Sequence, residues 1–328
     1  MASPDRKSVA VIGAGIAGAA AAAHLTGSSD VVVFEKSRGY GGRMAARRHS
    51  LWQFDHGAQF FTARSEQFRQ LIAQYQKQQL VSEWKAKIIT LCPGKKPFSR
   101  LWFEPHYVAT PAMSALAKAL TNAIDVKLNT QIDTIYRTGN RWSLQGTDGK
   151  DLGAFDQVVS AIPAPQSLAI LPESFSGRDK LLTVSYSPCF ALMLGYQHAL
   201  RISFDAAVVR ESPLAWIRAT SIQAGPGGGT SLVIHSSNQW AAEKLEHPPE
   251  SIQNEMLDSL AQLLGGNAGK PDFLQLHKWR YARVEESLKS GALVDHEQGL
   301  AACGDWCLGN RVEDAYLSGS RAASLFAE

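Results

Sequence analysis

One stretch near the start decides the fold of this chain: Val9-Ala-Val-Ile-Gly13-Ala14-Gly15-Ile16-Ala17-Gly18. A β-branched run enters a G-x-G-x-x-G turn, and a segment of small residues then continues to Leu25 as a predicted helix. Gly13 permits the tight turn, Gly15 leaves room for a pyrophosphate, and Gly18 lets the helix pack closely on the strand. The free N–H groups at the helix N-terminus attract phosphates. The stretch therefore predicts a strand–turn–helix unit that binds a dinucleotide.

A second predicted strand, Val31-Val-Val-Phe, ends on Glu35. Glu35 lies 22 residues after Gly13, close to the ~20 at which an acidic residue accepts hydrogen bonds from ribose hydroxyls. A rival interpretation is a secretory signal, because Arg6 and Lys7 precede an apolar run. Removal of such a signal would delete the first strand and leave the second without a partner, so we favour the dinucleotide site.

A second glycine pair follows the acidic residue, in Lys36-Ser-Arg-Gly-Tyr-Gly41-Gly42-Arg43-Met44. NAD enzymes of this fold have no special need for it. The pair resembles the second fingerprint of the flavoprotein superfamily that contains amine oxidases, protoporphyrinogen oxidase and phytoene desaturases. The resemblance implies a loop that covers the FAD pyrophosphate opposite the first glycine turn, and Arg43 carries a guanidinium suited to bidentate phosphate contact. The alternative is a flexible glycine hinge with a solvated arginine.

The composition of the 328 residues fits a globular protein that is long enough for two domains. Charged residues make up 19%, and a net charge of +3 without a dense Lys/Arg block argues against a nucleic-acid partner. Apart from the first strand and helix, no apolar run approaches the ~20 residues that span a membrane. The four cysteines are scattered without paired C-x-x-C knuckles, which favours reduced thiols in the cytoplasm: Cys92, Cys189, Cys303 and Cys307.

The segment Trp52-Gln-Phe-Asp55-His56-Gly57-Ala58-Gln59 alternates apolar and polar residues up to Asp55 and then turns. In flavoproteins of the amine oxidase type, a short segment of this kind passes under the flavin ring. The resemblance therefore implies that residues 57–59 lie near the isoalloxazine. For His56 a backbone hydrogen bond is the more common role of a lone histidine at a turn, and a catalytic role is the alternative.

Further helices are predicted over 65–79, over 112–121 after Thr110-Pro111, and from Pro248-Pro249 to about 264. Residues 126–162 predict a strand, a three-stranded meander and a buried strand, and residues 188–235 predict an antiparallel sheet. The glycine-rich stretch 225–229 lacks the lysine of a P-loop and is predicted to be a turn. Trp102 and Phe103 either line a pocket for a flat substrate or fill a small core. By the flavoprotein alignment, Ile132 contributes backbone contacts to the adenine half of FAD.

The C-terminal stretch carries the second strong signal. Residues 300–303 predict a short strand, Gly304-Asp305 a turn, and Arg311-Val312-Glu313-Asp314-Ala315 the start of a helix. An aspartate on such a turn can bind the ribityl chain or a phosphate. A helix N-terminus near Glu313 directs N–H groups at the N1/O2 edge of the flavin, where negative charge collects on reduction. The first forty-odd residues and the last twenty-five are therefore expected to close around one FAD.

These patterns predict an α/β fold in which a Rossmann-like FAD-binding domain carries a smaller antiparallel-sheet substrate domain of α+β type, as in the amine oxidases. The FAD-binding domain is predicted to be discontinuous and to comprise 1–60, 105–165 and 290–328. The substrate domain is predicted to comprise 61–104 and 166–289.

Within the superfamily, three stretches resemble the renalase family, especially its bacterial members: His56-Gly-Ala-Gln-Phe-Phe, Lys278-Trp279-Arg280, and Gly304-Asp-Trp-Cys-Leu-Gly with the segment after it. Asn310 and Asp314 stand where that pattern tends to carry glycine, and Asp314 would bring a carboxylate near the pyrimidine end of the flavin. The resemblance implies oxidation of the 2- and 6-dihydro isomers of NAD(P)H to NAD(P)+, with oxygen as the partner that yields hydrogen peroxide. No cysteine stands in a context that matches covalent attachment, so non-covalent FAD is expected.

The predicted strand 273–284 is dense in aromatic and cationic groups, and we expect four of its residues to form the substrate wall: His277, Trp279, Arg280 and Tyr281. Arg280 is the candidate for the phosphates of the substrate. A dihydropyridine becomes aromatic on losing a hydride, so the reaction needs a well-placed carbon ~3–3.5 Å from the acceptor but no general base. A purely structural alternative puts Trp279 in the core and Arg280 in an ion pair.

Two other functions remain open at this point. One is an amine oxidase or desaturase that acts on another small substrate. The other is a non-enzymatic binding protein on the same fold, such as the GDP-dissociation inhibitors, which the intact phosphate, ribose and flavin-edge segments argue against. The sequence leaves the oligomeric state and the choice between NAD and NADP forms open.

Overall fold

The structure is a computed structural model that describes residues 6–99, 101–222, 228–266 and 268–327. Its helices are α1 (Ile16–Leu25), α2 (Glu66–Lys77), α3 (Ala115–Leu120), α4 (Ala164–Ile170), α5 (Arg178–Leu182), α6 (Asn238–Glu243), α7 (Pro249–Leu264) and α8 (Val312–Ala327). Its strands are β1 (Lys7–Ile12), β2 (Ser29–Phe34), β3 (Ala46–His49), β4 (Trp52–Asp55), β5 (Val81–Glu83), β6 (Ile88–Leu91), β7 (Phe98–Ser99), β8 (Tyr107–Ala109), β9 (Asp125–Lys127), β10 (Ile132–Thr138), β11 (Arg141–Gly146), β12 (Asp151–Phe155), β13 (Gln157–Ser160), β14 (Ser185–Tyr196), β15 (Ala206–Val209), β16 (Leu214–Ile222), β17 (Gly229–Ser236), β18 (Phe273–Glu286), β19 (Leu293–Asp295) and β20 (Leu300–Ala302).

The first sheet has the strand order β19-β20-β13-β1-β2-β9. All neighbours in it run parallel except β19, which pairs antiparallel with β20. Helix α1 connects β1 to β2, as the glycine turn predicts, and the buried Val9 and Val11 give β1 the apolar character of a central parallel strand. This is the predicted Rossmann-like sheet.

The two ends of the chain meet on this sheet. Strand β1 pairs with β13, and β13 pairs with the C-terminal β20. Helix α8 then packs against α1 so closely that a Cβ on Gly319 would lie 2.0 Å from the carbonyl oxygen of Ala17. The same kind of contact explains Gly18, where a Cβ would lie 1.9 Å from the Gly13 carbonyl oxygen. The expectation that the termini come together is confirmed.

A second sheet contains the long strands β14 and β18, in the order β18-β14-β17-β16-β15-β6-β7. It is antiparallel except where β15 pairs parallel with β6. One face is covered by α7, which buries Ile252, Met256 and Leu260 against it. The domain boundaries predicted above remain a proposal, but the two sheets are separate and draw on the predicted segments.

The middle of the chain forms the predicted meander β10-β11-β12. The helix predicted over 112–121 begins at Ala115 instead. Residues 113 and 114 form a turn before it, in which the N–H of Met113 donates to Asp55 Oδ1 at 3.0 Å. Of the predicted turn at 225–229, residues 225–227 lie outside the described ranges, and Gly229 begins β17.

The hairpin β3–β4 links the two sheets. It follows the second glycine pair in the chain and packs against β18 through stacked rings: Phe273 lies 5.3 Å from Phe54 and 4.4 Å from His49, measured between ring centroids. Phe54 is fully buried there. The hairpin therefore places the segment after Asp55 between the first sheet and the second.

Candidate active site

The first glycine turn leaves an open helix N-terminus. Gly13 has a φ of +106°, which glycine adopts without strain. Gly15 precedes α1 and offers no side-chain cap, so among the described residues no side chain accepts from the N–H groups of the first turn, from Ile16 to Gly18. Gly15 also pairs with Gly41 in an isolated bridge. The two predicted fingerprints thus lie against each other, and the absence of side chains between them fits a pyrophosphate.

Glu35 lies beside this turn, as predicted. Its buried carboxylate accepts hydrogen bonds from the backbone N–H groups of Ala14 and Ser37, each at 2.8 Å. Each oxygen keeps a lone pair for a ribose hydroxyl. Thr130 N–H donates to the Glu35 carbonyl at 2.8 Å, and Ile132 begins β10 two residues later, so the predicted adenine contact lies near this corner. Lys36 is exposed.

The second glycine pair leads into a short 3₁₀ turn, Gly42–Met44, with Met44 buried. The Arg43 guanidinium donates two hydrogen bonds, of 2.7 and 2.5 Å, to the Asp305 carboxylate. Burial lowers the pKa of Arg43, but the Asp305 carboxylate outweighs it and the net pKa is raised. The Arg43 guanidinium, which the sequence predicts to bind a phosphate, therefore pairs with a carboxylate. This ion pair connects the second glycine pair to the C-terminal turn.

The segment 55–59 docks on the second fingerprint. Ala58 N–H donates to the Arg43 carbonyl at 2.8 Å, and a Cβ on Gly57 would lie 2.0 Å from that oxygen. Gln59 is buried and its Nε2 donates to the Asp55 carbonyl, whereas its Oε1 has no hydrogen-bond partner among the described residues. Burial raises the pKa of Asp55. The contacts hold 57–59 against the glycine pair, where the resemblance places the flavin.

Side chains on three strands of the second sheet donate hydrogen bonds to main-chain carbonyls of the segment 55–59. The His56 carbonyl accepts from His235 Nε2 on β17 and Trp279 Nε1 on β18, each at 3.0 Å. The Gln59 carbonyl accepts from Arg218 on β16 at 2.8 Å. These bonds use the main-chain carbonyl, so they do not test the side-chain hydrogen bond to the backbone that was expected of the His56 ring. Sequence reasoning missed Arg218 and His235, because no local pattern connects β16 and β17 to residues more than 150 positions away.

Two of the four predicted wall residues, His277 and Trp279, lie on one face of β18, and the pairing with β14 is irregular beyond Trp279. The His56 ring stacks on the Trp279 ring, with 5.2 Å between ring centroids, and packs edge-on against the His277 ring, with 4.9 Å between centroids. Tyr281 contacts Tyr186 at 5.4 Å. Arg280 points the other way, because successive side chains of a strand alternate between faces, and it pairs with Glu246 at 2.9 Å. The prediction of Arg280 as a wall residue was wrong, and the structural alternative, an ion pair, holds for it.

The imidazoles of the wall are uncharged. Burial, with the neighbouring His277 and Arg47 adding to it, lowers the pKa of His56 to about 3. Burial and the charge of Arg47 lower the pKa of His277 to about 4. Burial lowers the pKa of His235 as well. At neutral pH the wall is aromatic and polar, and the cation that acts on it comes from Arg47 on β3, which the sequence analysis did not select.

The C-terminal turn and helix are arranged by their own carboxylates. Asp305 is buried in a 3₁₀ turn after Gly304. Glu313 is buried and accepts from the N–H groups of Arg64 and Ser65 at the start of α2, at 3.1 and 2.5 Å. Asp314 accepts from Asn310 and Arg311 N–H groups at 3.1 and 3.0 Å, in the manner of a capping box. The Asp314 side chain therefore folds back on the start of α8. Val312 begins this helix, and Ala315 is buried in its first turn.

A second aromatic cluster surrounds Phe60. Its ring lies 4.4 Å from His106 and 5.6 Å from Trp216, and Trp102 lies 4.4 Å from His106. Phe103 is 95% exposed and takes no part. The structure thus separates the pair that the sequence treated together: Trp102 packs in this cluster and Phe103 faces solvent.

Within the described ranges, no helix is both long and apolar enough to cross a membrane. The same residues contain no group of three or more His, Cys, Asp or Glu side chains arranged to hold a metal ion. All four cysteines are free and buried.

Two family models match the chain: the NAD(P)-binding Rossmann-like domain over residues 11–75, and the flavin containing amine oxidoreductase family over residues 98–325. Among solved structures, a protein assigned as a protoporphyrinogen oxidase, from Exiguobacterium sp. 255-15, has a TM-score of 0.76 at 14% identity over 99% of both chains. Cyclohexylamine oxidase from Brevibacterium oxydans IH-35A gives 0.73 at 13% identity, over 98% of this chain and 99% of its own. Putrescine oxidase bound to putrescine gives 0.72 at 13%, with the same coverage. At these identities the likeness shows a shared fold.

Proposed function

This chain belongs to the flavin-containing amine oxidoreductase family, and from that premise we propose that it is a renalase-type oxidase of 2- and 6-dihydro isomers of NAD(P)H. It is an FAD-dependent oxidoreductase. FAD supplies the acceptor for a hydride and its two electrons, and oxygen takes the electrons on as hydrogen peroxide. The products of the proposed reaction are NAD(P)+ and hydrogen peroxide.

The FAD site that we propose is built by the two fingerprints, the docked segment and the C-terminal turn. Open backbone N–H groups at α1 suit the pyrophosphate, the lone pairs of Glu35 suit a ribose, and the unpaired Gln59 Oε1 suits a donor on the cofactor. The residues proposed to contact FAD are Gly13, Ala14, Gly15, Ile16, Ala17, Gly18, Glu35, Lys36, Gly41, Gly42, Arg43, Met44, His56, Gly57, Ala58, Gln59, Ile132, Gly304, Asp305, Arg311, Val312, Glu313 and Ala315.

One observation carries the choice of substrate: the wall is aromatic and its histidines are neutral, and among the described residues Arg47 is the cation whose charge acts on them. His277 and Trp279 pack edge to face in an aromatic cluster with His56, which suits a planar dihydropyridine that needs orientation and no base. The charge of Arg47 lowers the pKa of both His277 and the adjacent His56. A protonated amine would be repelled there, whereas a dinucleotide carries negative charge.

An amine oxidase is the second candidate, because the family is named for that activity. It predicts that amines, held neutral between aromatic rings, reduce the enzyme. The non-enzymatic alternative does not apply to a member of an oxidoreductase family.

The two candidates separate in an anaerobic reduction experiment. Holoprotein is mixed with borohydride-reduced NAD, which contains the 2- and 6-dihydro isomers, with ordinary NADH alone, and with a panel of amines. Our proposal expects the yellow absorbance to bleach with the isomer mixture and not with the amines. Bleaching by an amine at a comparable rate, with no response to the isomers, would refute it.

We further propose that FAD is bound without a covalent bond and that the protein is cytoplasmic. Both proposals rest on the four buried, unpaired cysteines, which suit a reducing compartment. Acid precipitation of the holoprotein is expected to leave the flavin in the supernatant. A yellow pellet would contradict non-covalent binding.

A further inference from the structure

Arg47 lies on the face of the β3–β4 hairpin that packs against β18. In the antiparallel register, Arg47 is opposite Phe54 and His49 is opposite Trp52. Opposed residues share a face, so Arg47 stands on the same side as His49 and Phe54. Both of those rings stack on Phe273, at 4.4 and 5.3 Å.

The same face of β18 continues from Phe273 to the substrate wall. Side chains two residues apart lie on one face of a strand, so Phe273, His277 and Trp279 share it. His56, two residues after Phe54, contacts both His277 and Trp279. Arg47 therefore lies at the end of the wall marked by Phe54, close enough for its charge to act on His56 and His277.

The charge of Arg47 is uncompensated. In the part of the chain that the structure describes, neither Arg47 nor the neighbouring Arg38 forms an ion pair. Arg47 is half-buried, and the pKa of its guanidinium is lowered by that burial and by the charge of Arg38. A partly buried guanidinium without a carboxylate is stabilised when an anion binds.

We infer that Arg47 anchors a diphosphate-binding subsite beside the wall, and that its ligand is the diphosphate of the dinucleotide substrate. The inference rests on the proposed function for the identity of that substrate. It replaces the role that the sequence gave to Arg280, whose position on the opposite face and ion pair with Glu246 remove it from the wall. A planar guanidinium suits phosphate oxygens through two parallel hydrogen bonds. FAD also contains a diphosphate, so the test has to separate the two sources.

The test compares Arg47→Met with the matched control Arg48→Met. Arg48 is the next residue on the same strand, points to the opposite face and donates to Gln53 at 3.1 Å. Three quantities are measured in each holoprotein: the dissociation constant of FAD, the affinity for ADP-ribose from its perturbation of the flavin spectrum, and KM for two substrates. These substrates are borohydride-reduced NAD and borohydride-reduced nicotinamide riboside, which has no phosphate.

R47M should weaken ADP-ribose about tenfold and raise KM for the dinucleotide about tenfold, since a charge-assisted hydrogen bond accounts for an effect of that size. The riboside and FAD should change by less than about twofold, and R48M should match the wild type. If R47M does not fold, Arg47→Gln carries the same comparison.

Three outcomes would overturn the inference: equal ADP-ribose affinity in R47M and wild type, an equal loss for dinucleotide and riboside, or a tenfold loss of FAD, which would assign the guanidinium to the cofactor. Failure of the proposed function looks different. If the wild type oxidises no dihydronicotinamide but binds ADP-ribose in an Arg47-dependent way, the function is wrong and the diphosphate subsite stands.

Discussion

Asp305 shows how a single residue can join two distant parts of the chain. It holds the Arg43 guanidinium through two hydrogen bonds, and its own side chain is 6% exposed. Asp305→Asn leaves that guanidinium without its counter-charge in a mostly buried position. We expect the free energy of unfolding to fall by about 3 kcal/mol, and FAD to bind more weakly, as measured by urea denaturation and by flavin titration.

The control for this variant is Asp30→Asn. Asp30 also pairs with an arginine, Arg6, at 3.0 Å, but the Asp30 side chain is 46% exposed. Its loss should cost less than about 1 kcal/mol. Similar losses in the two variants would show that the Arg43–Asp305 pair is no stronger than a surface ion pair.

His56 predicts a pH dependence of stability. Burial lowers its pKa from 6.5 in the unfolded chain to about 3 in the folded one. Between these pH values His56 is protonated in the unfolded state but neutral in the folded state. The free energy of unfolding therefore falls as the pH drops from 6.5 toward 3. His56→Gln removes this titration and should flatten the slope by up to about 1.4 kcal/mol per pH unit.

Urea denaturation at a series of pH values measures that slope. The exposed His247 provides the control, because His247→Gln removes a histidine whose ring is in solvent. An unchanged slope in His56→Gln would mean that the imidazole is not kept neutral by its surroundings.

Arg280 and Arg47 show where residue-level prediction from sequence succeeds and fails. The alternation of a strand was enough to separate Arg280 from Trp279, but the sequence analysis grouped them by proximity along the chain. Arg47 could not be found that way. Its position follows from the pairing of β3 with β4 and from the stacking of that hairpin on Phe273, more than 200 residues later.

Among the elements, those set by local pattern were predicted well. Strand β1, helix α1 and strand β2 follow from the glycine turn and the apolar runs around it. The start of α3 did not, because a turn at residues 113 and 114 precedes the helix that the Thr110-Pro111 signal places earlier. The Asp314 carboxylate caps α8, and its expected position near the flavin stays a prediction.

Arg218 connects strand β16 to the segment 55–59, and its replacement tests whether this contact positions the segment. Its guanidinium donates to the Gln59 carbonyl at 2.8 Å, lies 3.7 Å from the Asp55 carboxylate and covers the Trp84 ring at 4.9 Å. Arg218→Met removes the donor to the Gln59 carbonyl and the ion-pair partner of the Asp55 carboxylate, which keeps only its bond from the Met113 N–H. We expect a loss of about 2–4 kcal/mol in unfolding free energy and a changed visible circular dichroism of bound FAD.

Arg137→Met is the matched control. Arg137 also lies over a tryptophan, 4.8 Å from the Trp142 ring, and donates to a backbone carbonyl at 2.9 Å, but it is exposed and belongs to the meander. It should cost less than about 1 kcal/mol and leave the flavin signal unchanged. If Arg218→Met leaves the flavin signal unchanged as well, β16 does not position the segment.

At the scale of the whole molecule, the site depends on the meeting of the two ends of the chain. The sequence predicted this from a glycine turn at one end and a strand–turn–helix at the other, and the order β20-β13-β1 confirms it. What the sequence could not supply is the second sheet's part in the site. The bonds from β16, β17 and β18 to residues 56 and 59 arise only when the substrate-side sheet is packed against the segment.

Gly319 tests that closure, because it lies where the C-terminal helix crosses the helix that follows the first glycine turn. A Cβ at this position would lie 2.0 Å from the Ala17 carbonyl oxygen and 3.0 Å from its Cα, and backbone atoms cannot move aside as a side chain can. Gly319→Ala should therefore push α8 from α1, lower the unfolding free energy by about 3 kcal/mol and weaken FAD binding, since Ala17 belongs to the first turn of α1. Ser324→Ala, at an exposed position of the same helix, should stay within about 0.5 kcal/mol of the wild type. Weaker FAD binding by Gly319→Ala, measured below its unfolding transition, would show that the contact between α8 and α1 shapes the glycine turn. A variant that is less stable but binds FAD normally would show that the C-terminal helix only stabilises the fold.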